Sequence, residues 1–278
     1  MKFSIWRRNI RVESQFLKSL FTICSIFDKI AKSVKGDVAR YNKLMSEFQD
    51  SHEYSDFVMS TVERMVTGLN TGNYTTWRKA AREATKGNML YRALFEEMQT
   101  GIGSAIKNQI MENANLIRTL PTDTAQKVVQ NISEEAYKGK RASEIAKIIQ
   151  SETSKHSRAS AQLIARTEVS KATTALTKAR SEDLGLKWYV WRTALDGDRV
   201  RKSHRNMEGV LVAWSNPPSP ETLVGETSVG NYHAGNIWNC RCYPSPVIDE
   251  DDVPRNPRVY YQGEIHRMSK EKFMKELF

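Results

Sequence analysis

Proline placement divides this chain more sharply than any other feature. Of its eight prolines only Pro121 lies before residue 217; the others are Pro217, Pro218, Pro220, Pro244, Pro246, Pro254 and Pro257. Proline lacks an amide donor and clashes inside a helix. The first 216 residues are therefore free to be helical, and the remainder is not. Trp188, Trp191, Trp214 and Trp238 fall between 186 and 250, together with Gly197, Gly209, Gly225, Gly230 and Gly235. This reads as a compact, turn-rich module following a helical one. The expected class is α+β: a long, mostly α-helical N-terminal two-thirds, then a small β-rich C-terminal module and a short tail helix.

Periodicity fills in the helices. Phe16, Leu20, Ile23, Phe27, Ile30 and Val34 step by three and four, a one-sided apolar stripe. A second stripe, Val58, Val62, Met65, Val66 and Leu69, is expected to stop at Asn70–Gly72. A third helix is expected from near Thr75 to Gly87, and a fourth from Asn88 to Leu120–Pro121. Thr122 is expected to cap a helix carrying Val128, Val129 and Ile132 and ending at Gly139. Ser143 would cap a short helix with Ile145, Ile148 and Ile149, and Ser157 to Leu184 a long one closed by Gly185. Trp188–Trp191, Val210–Trp214 and Ile237–Tyr243 are β-branched or aromatic and predict strands. The loop 215–236 is long and polar, the kind that is functional or pinned. After 251 the pattern predicts Pro-rich coil and a last helix with Met268, Phe273, Met274 and Leu277 on one face.

Composition narrows the function classes. The formal charge is +10, and hydrophobic residues make up 40% of the chain. No run of eighteen apolar residues exists to cross a bilayer. The stretch Phe16–Phe27 reads as an amphipathic helix, since polar residues interrupt it and no small-residue cleavage site follows. Three cysteines are too few for a disulfide scaffold, which points to a reducing compartment. The charge is net +6 over 1–120, +3 over 121–185, zero over 186–250 and +1 beyond. The positive excess belongs to the helices. It fits ordinary solubilisation, or nonspecific contact with packed nucleic acid, but no helix has the dense basic face of a sequence-specific reader.

Two polar clusters could carry chemistry. The first is Asp196, Asp198, Arg199, Arg201, Lys202, His204 and Arg205, after the Trp191 strand and before Gly209. It reads as a solvated charged turn, as an anion-binding patch, or as the acidic and imidazole part of a metal site. The second is His233 followed by Asn239, Cys240, Arg241 and Cys242. In a strand both thiols would face one way. Cys240, Cys242, His204 and either His233 or Asp198 would supply the four donors zinc needs. The competing reading is two small, inert, buried thiols. Asp196, Asp198 and Glu208 with His204 could also form a nuclease-like metal centre, though their spacing is not specific to one. No phosphate-binding Gly loop and no G-x-S-x-G signature is present, so no catalytic constellation of specific spacing marks an enzyme.

The order of these elements resembles a known family. Ala165-Arg166-Thr167-Glu168 precedes the Trp191 strand by about 25 residues; Asp198-Arg199-Val200-Arg201, His204 and Gly209 follow, and then Asn239-Cys240-Arg241-Cys242 with Pro244. Together with Leu120-Pro121 and Ser143-Glu144-Ile145, this resembles the phage Mu F-like head morphogenesis family, the minor head or minor capsid proteins. The resemblance covers about 120–250 and divides the chain into a helical adaptor region (1–119), the head morphogenesis domain (helices 122–185, small β module 186–250) and a tail (251–278). It implies a structural virion protein of a tailed phage or prophage, several copies of which join the head near the portal vertex, having assembled in the host cytoplasm. Its implied partners are the portal protein, the major capsid or scaffolding protein, and packaged DNA by nonspecific contact, with no membrane. It implies no established activity; the alternative is a metal-dependent, nuclease-like hydrolase or a toxin-related module. Carried over by residue, its metal-binding suggestion falls on His204, Cys240, Cys242 and Asp198, with His233 as an alternative ligand and zinc as the ion. Arg166, Glu168, Arg199, Arg201, Asn239 and Arg241 are then expected to form a structural polar core that ties module to helix.

Overall fold

A computed structural model describes residues 5–84, 102–137, 142–195 and 200–278. Among these residues six helices come first: α1 (Ile10–Ser33), α2 (Val38–Gln49), α3 (His52–Glu83), α4 (Ile102–Arg118), α5 (Leu120–Tyr137) and α6 (Ala142–Asp183). Then follow β1 (Trp188–Arg192), α7 (Lys202–Met207), β2 (Val210–Ala213), β3 (Tyr243–Pro246), β4 (Arg258–Tyr261), β5 (Glu264–Arg267) and α8 (Lys270–Glu276). The α+β class is as expected. The chain forms two compact units: Ile10–Thr67 with Asn108–Glu168, and Met1–Asn9 with Gly68–Lys107 and Val169–Phe278.

The first unit is helical. The α1 stripe does bury Phe16, Leu20, Ile23 and Phe27; Tyr41 and Met45 of α2 and Tyr54, Val58 and Val62 of α3 are buried as well. Phe48 bridges the two aromatic neighbours, 5.9 Å from Phe27 and 4.8 Å from Tyr54. Buried hydroxyls find partners within the unit: Tyr41 Oη lies 2.8 Å from Thr153 Oγ1, and Tyr54 Oη donates to the Ile117 carbonyl at 2.5 Å.

Several helix boundaries differ from expectation. Helix α3 runs straight through Asn70–Gly72, so the second and third predicted helices are one. Tertiary contacts outweigh the weak propensity there: Trp77, Ala80 and Ala81 are buried, and Asn73 Nδ2 donates to Thr177 Oγ1 at 2.9 Å. At Gly72 a Cβ would come within 3.0 Å of Asn9 Nδ2. The expected starts and ends at Gly87, Asn88 and Gly139 lie outside the described residues. Thr122 is not a cap; α5 begins at Leu120, with Pro121 in its first turn, where the missing amide costs nothing. The predicted short helix and long helix are a single α6. Its buried face continues through Ile145, Ile149, Thr153, Ser157, Ala161, Ala165, Val169, Ala172 and Leu176. Thr153 and Ser157 interrupt the apolar pattern without leaving the buried stripe. Gly185 does close α6, in a left-handed conformation, with Gly185 N–H on the Glu182 carbonyl and Leu186 N–H on that of Ser181.

The second unit is built on one sheet of order β3-β1-β2-β4-β5. β1 pairs antiparallel with β2 and β3, β2 parallel with β4, and β4 antiparallel with β5. Alternation sends Tyr189, Trp191, Val210, Val212 and Tyr260 to one face and Trp188, Val190, Leu211 and Val259 to the other. The second face is closed by Phe273 of α8, whose ring sits 5.1 Å from Trp188. The expected Ile237–Tyr243 strand is displaced: pairing starts at Tyr243 and carries Pro244 and Pro246, which an edge strand accommodates. The tail, expected as coil before its helix, also holds the β4–β5 hairpin. Gln262 (φ 52°) and Gly263 (φ 87°) form its two-residue turn, both left-handed as a hairpin of that length demands. Among the described residues no helix is long and apolar enough to cross a membrane.

Candidate metal centre

Three side chains far apart in sequence converge on the first face of the sheet. His204 comes from α7, a helix that replaces part of the expected charged turn and buries Ser203, His204 and Met207. Cys240 and Cys242 come from the loop before β3. All three are buried, and their ligating atoms lie within 4.8 Å of one another. The His204 Nδ1 atom is 3.6 Å from Cys240 Sγ and 3.4 Å from Cys242 Sγ.

The loop that carries the thiols is fixed by a glycine. Gly235 has φ +85°, and a Cβ there would lie 2.6 Å from Thr174 Oγ1, 2.9 Å from the Cys242 carbonyl and 3.0 Å from Ser170 Oγ. No larger residue fits. Thr174 Oγ1 also donates to the Ala234 carbonyl at 2.8 Å. One turn of α6, Ser170 to Thr174, is thereby the bed on which the cysteine loop rests. Asn239, in a left-handed conformation (φ 54°), redirects the chain so that Cys240 turns inward beside the exposed Trp238.

A hydrogen-bond relay orients the imidazole. Tyr232 donates its phenol proton to Glu221 Oε1 at 2.6 Å. Burial first, then that carboxylate, pushes the Tyr232 phenol far above its ordinary pKa, so it stays protonated. Its oxygen then accepts from His204 Nε2, 2.9 Å away. The proton on Nε2 leaves the Nδ1 lone pair aimed at both sulfurs. Ser203 Oγ reaches the same carboxylate oxygen at 3.4 Å. The loop 215–236, expected to be pinned, is held at this point; Tyr232 N–H also bonds the Pro218 carbonyl at 2.9 Å.

The thiols share a proton unevenly. A hydrogen bond from Cys242 lowers the Cys240 thiol well below its ordinary pKa, and His204 adds to this against the cost of burial. The same bond raises Cys242, and burial raises it further. The Trp191 indole N–H makes no conventional hydrogen bond, yet it lies close enough to Cys242 to oppose that rise.

These three donors match three of the four positions of a zinc site. With Zn–S of about 2.3 Å, Zn–N of about 2.0–2.1 Å and tetrahedral angles, a bound His nitrogen and Cys sulfur stand roughly 3.5–3.6 Å apart. The separations of 3.4 and 3.6 Å match that edge length. A cavity of about 300 Å³ borders the three donors, lined also by Ala194, Val200, Arg201, Asn239 and Arg241.

The remaining candidates fall in different places. Asp196, Asp198 and Arg199 lie outside the described residues. His233 sits elsewhere on the same face, with Nδ1 3.2 Å from Tyr189 Oη and its ring against Trp214. Glu208 is committed to Arg192 at 3.0 Å and to the Thr193 amide at 2.6 Å. Arg201 lies over the Trp238 ring and donates to the Trp238 carbonyl at 3.0 Å. Arg241 lines the cavity. Glu168 is buried and Arg166 half-buried, both on α6. Tyr232, Glu221 and Gly235 were missed from sequence. Glycine ahead of a C-x-C pair was the one available signal.

Comparison with known proteins now bears on the same stretch. Residues 125–244 match the model of the family described as Phage Mu protein F like protein. This part of the chain is similar to that family. It runs from α5 into β3 and contains all three donors. A curated protein of Haemophilus influenzae, described as uncharacterized, is 31% identical over 160 residues, which cover 57% of this chain. The matched segment spans 33% of that relative. No solved structure matches the chain.

Proposed function

We propose that this chain is a minor head protein of a tailed bacteriophage or prophage, present in several copies near the portal vertex and acting in head assembly or in handling packaged DNA. The observation that carries the reading is the phage Mu F-like match over 125–244. The portal protein is the first expected partner, with the major capsid or scaffolding protein next, and the basic helices make nonspecific contact with packaged DNA. The protein resides in the virion head and, during assembly, in the host cytoplasm.

Within that role His204, Cys240 and Cys242 hold a zinc ion that fastens the cysteine loop and α7 to one face of the sheet. The ion supplies a cross-link that a module of this size lacks in its own small core. Buried thiolates held by histidine suit such a structural ion. The test is co-purification with the portal from particles, followed by mapping of the vertex density by cryo-electron microscopy. Absence of the chain from purified heads sinks the reading.

A second reading is a metal-dependent hydrolase. It is favoured by the cavity beside the donors, lined by Arg201 and Arg241, because catalytic zinc keeps one position open to substrate. Zinc-dependent cleavage of DNA by the purified chain, abolished by His204→Ala, would establish it.

A further inference from the structure

On the sheet face that carries the metal centre, the β4–β5 hairpin ends in a pair of arginines. Arg258 and Arg267 stand directly opposite in the antiparallel register, on the side occupied by the next such pair, Tyr260 and Ile265. Like charges placed opposite each other in a ladder repel and cost stability. Neither charge is neutralised by a carboxylate among the described residues. Arg258 Nη2 donates to the Asn206 carbonyl at 2.7 Å and to Asn206 Oδ1 at 3.2 Å, and Nη1 to the Glu208 carbonyl at 3.3 Å. These acceptors end α7, so the arginine caps that helix with part of its fork. Burial, followed by the charge of Arg267, lowers the Arg258 pKa. Arg267 is exposed, and no hydrogen bond or ion pair engages its guanidinium among the described residues. Capping explains Arg258; nothing in the fold explains a second guanidinium set against it.

The two arginines line an open groove of about 680 Å³, with Asn206 and Thr222 as further polar groups and Leu223 and Ile265 as its apolar floor. Glu264 marks the rim at the hairpin turn, and alternation along β5 directs it to the face opposite Arg267. A ligand that relieves the repulsion must offer acceptors to two forks arriving from separate strands. A carboxylate presents its two oxygens in one plane, which suits one fork better than two arriving from separate strands. A tetrahedral phosphoryl group has acceptors enough to bridge both.

We propose that Arg258 and Arg267, with Asn206 and Thr222 at the edge, form a phosphate-binding subsite. Its ligand is a phosphoryl oxyanion, either a free phosphate or one phosphodiester of a nucleic-acid strand. The site is separate from the His204 cluster and does not depend on the head-protein reading.

The full chain is to be titrated with a fluorescent oligothymidylate, with pyrophosphate and with a poly-glutamate peptide, at several salt concentrations. Wild type, Arg267→Ala and Arg267→Gln are compared, each checked for fold by circular dichroism. For a strand ligand, both variants lower the slope of log affinity against log salt by about one and weaken binding several-fold, as expected for loss of one phosphate contact. For a free anion, pyrophosphate raises the melting temperature of wild type only, and the oligonucleotide titration is unchanged by substitution. The proposal is overturned if both variants match wild type with both phosphate ligands, or if only poly-glutamate binds in an Arg267-dependent way. Because Arg267 is exposed and unbonded, its removal is expected to leave the fold intact or firmer.

Discussion

Two histidines are buried in the same core face of the sheet, and they are built for opposite ends. His204 is oriented by an outer partner, Tyr232, so that its free nitrogen faces two sulfurs. Among the described residues, the hydrogen-bond and ring partners of the His233 side chain are Tyr189 Oη at Nδ1, the main chain of Trp214, and the Trp214 ring 5.2 Å away. Burial is nearly equal for the two. What separates a candidate ligand from a packing residue is where the ring's lone pair points, and residues outside the ring decide that.

The largest expected effect breaks this contrast at the metal. Wild type is expected to carry about one zinc per chain, measured by elemental analysis after dialysis. His204→Ala should lose it, and His233→Ala should keep it while losing stability through the cavity it leaves. Equal zinc content in the two variants would show that the lone-pair argument is wrong.

Next comes the bed beneath the thiols. Gly235→Ala forces a Cβ to within 2.6 Å of Thr174 Oγ1 at a left-handed φ. Adding strain and overpacking, the loss of stability should be about 3–4 kcal/mol by urea unfolding. Gly225 also has positive φ, yet a Cβ there has open space around it, so Gly225→Ala should cost about 1 kcal/mol. Similar costs at the two glycines would remove the claim that α6 positions the cysteine loop.

A third effect belongs to His233 alone. Its pKa is pushed down from 6.5 to about 4, by burial first and then by Lys178, against a main-chain hydrogen bond at Trp214. The unfolded imidazole takes up a proton near pH 6.5 and the folded one does not until about pH 4. Acid therefore favours the unfolded chain over that window, by about 3 kcal/mol in all. Unfolding midpoints at pH 7 and pH 4.5, compared between wild type and His233→Gln, isolate this term from the acid lability of the thiols. A variant as acid-sensitive as wild type would show that His233 already ionises in the fold.

These contrasts also mark what the sequence made legible. The helical two-thirds were readable from Phe16, Leu20, Ile23 and Phe27, and the β module from Trp188–Trp191 and Val210–Ala213, because a repeating apolar face records burial directly. His204, Cys240 and Cys242 could be singled out because their chemistry is scarce in the chain. The unity of α6 was hidden by Thr153 and Ser157, which are polar in name but buried with partners on α1 and α2. The β4–β5 hairpin was hidden by its neighbours Pro254 and Pro257, although Gln262-Gly263 between two alternating runs is a turn signal. The relay through Tyr232 to Glu221 joins residues eleven apart across an irregular loop, and no periodicity encodes such a contact.

The smallest effect is the most diagnostic, because it leaves all three donors in place. Tyr232→Phe removes the acceptor for His204 Nε2–H and the donor to Glu221. Without that acceptor the proton can move to Nδ1, where it competes with a metal for the lone pair between the two sulfurs. Zinc affinity, measured by competition with a chromogenic chelator, should fall roughly 10- to 100-fold, the usual effect of losing an outer partner of a ligand. The matching change beside the other histidine, Tyr189→Phe, removes a hydroxyl 3.2 Å from His233 Nδ1 and should leave zinc affinity where it was. If both substitutions weaken zinc equally, the two phenols act only through the packing of the shared core. If only Tyr232→Phe does, the proton on Nε2 is what turns one of two similar histidines into a ligand.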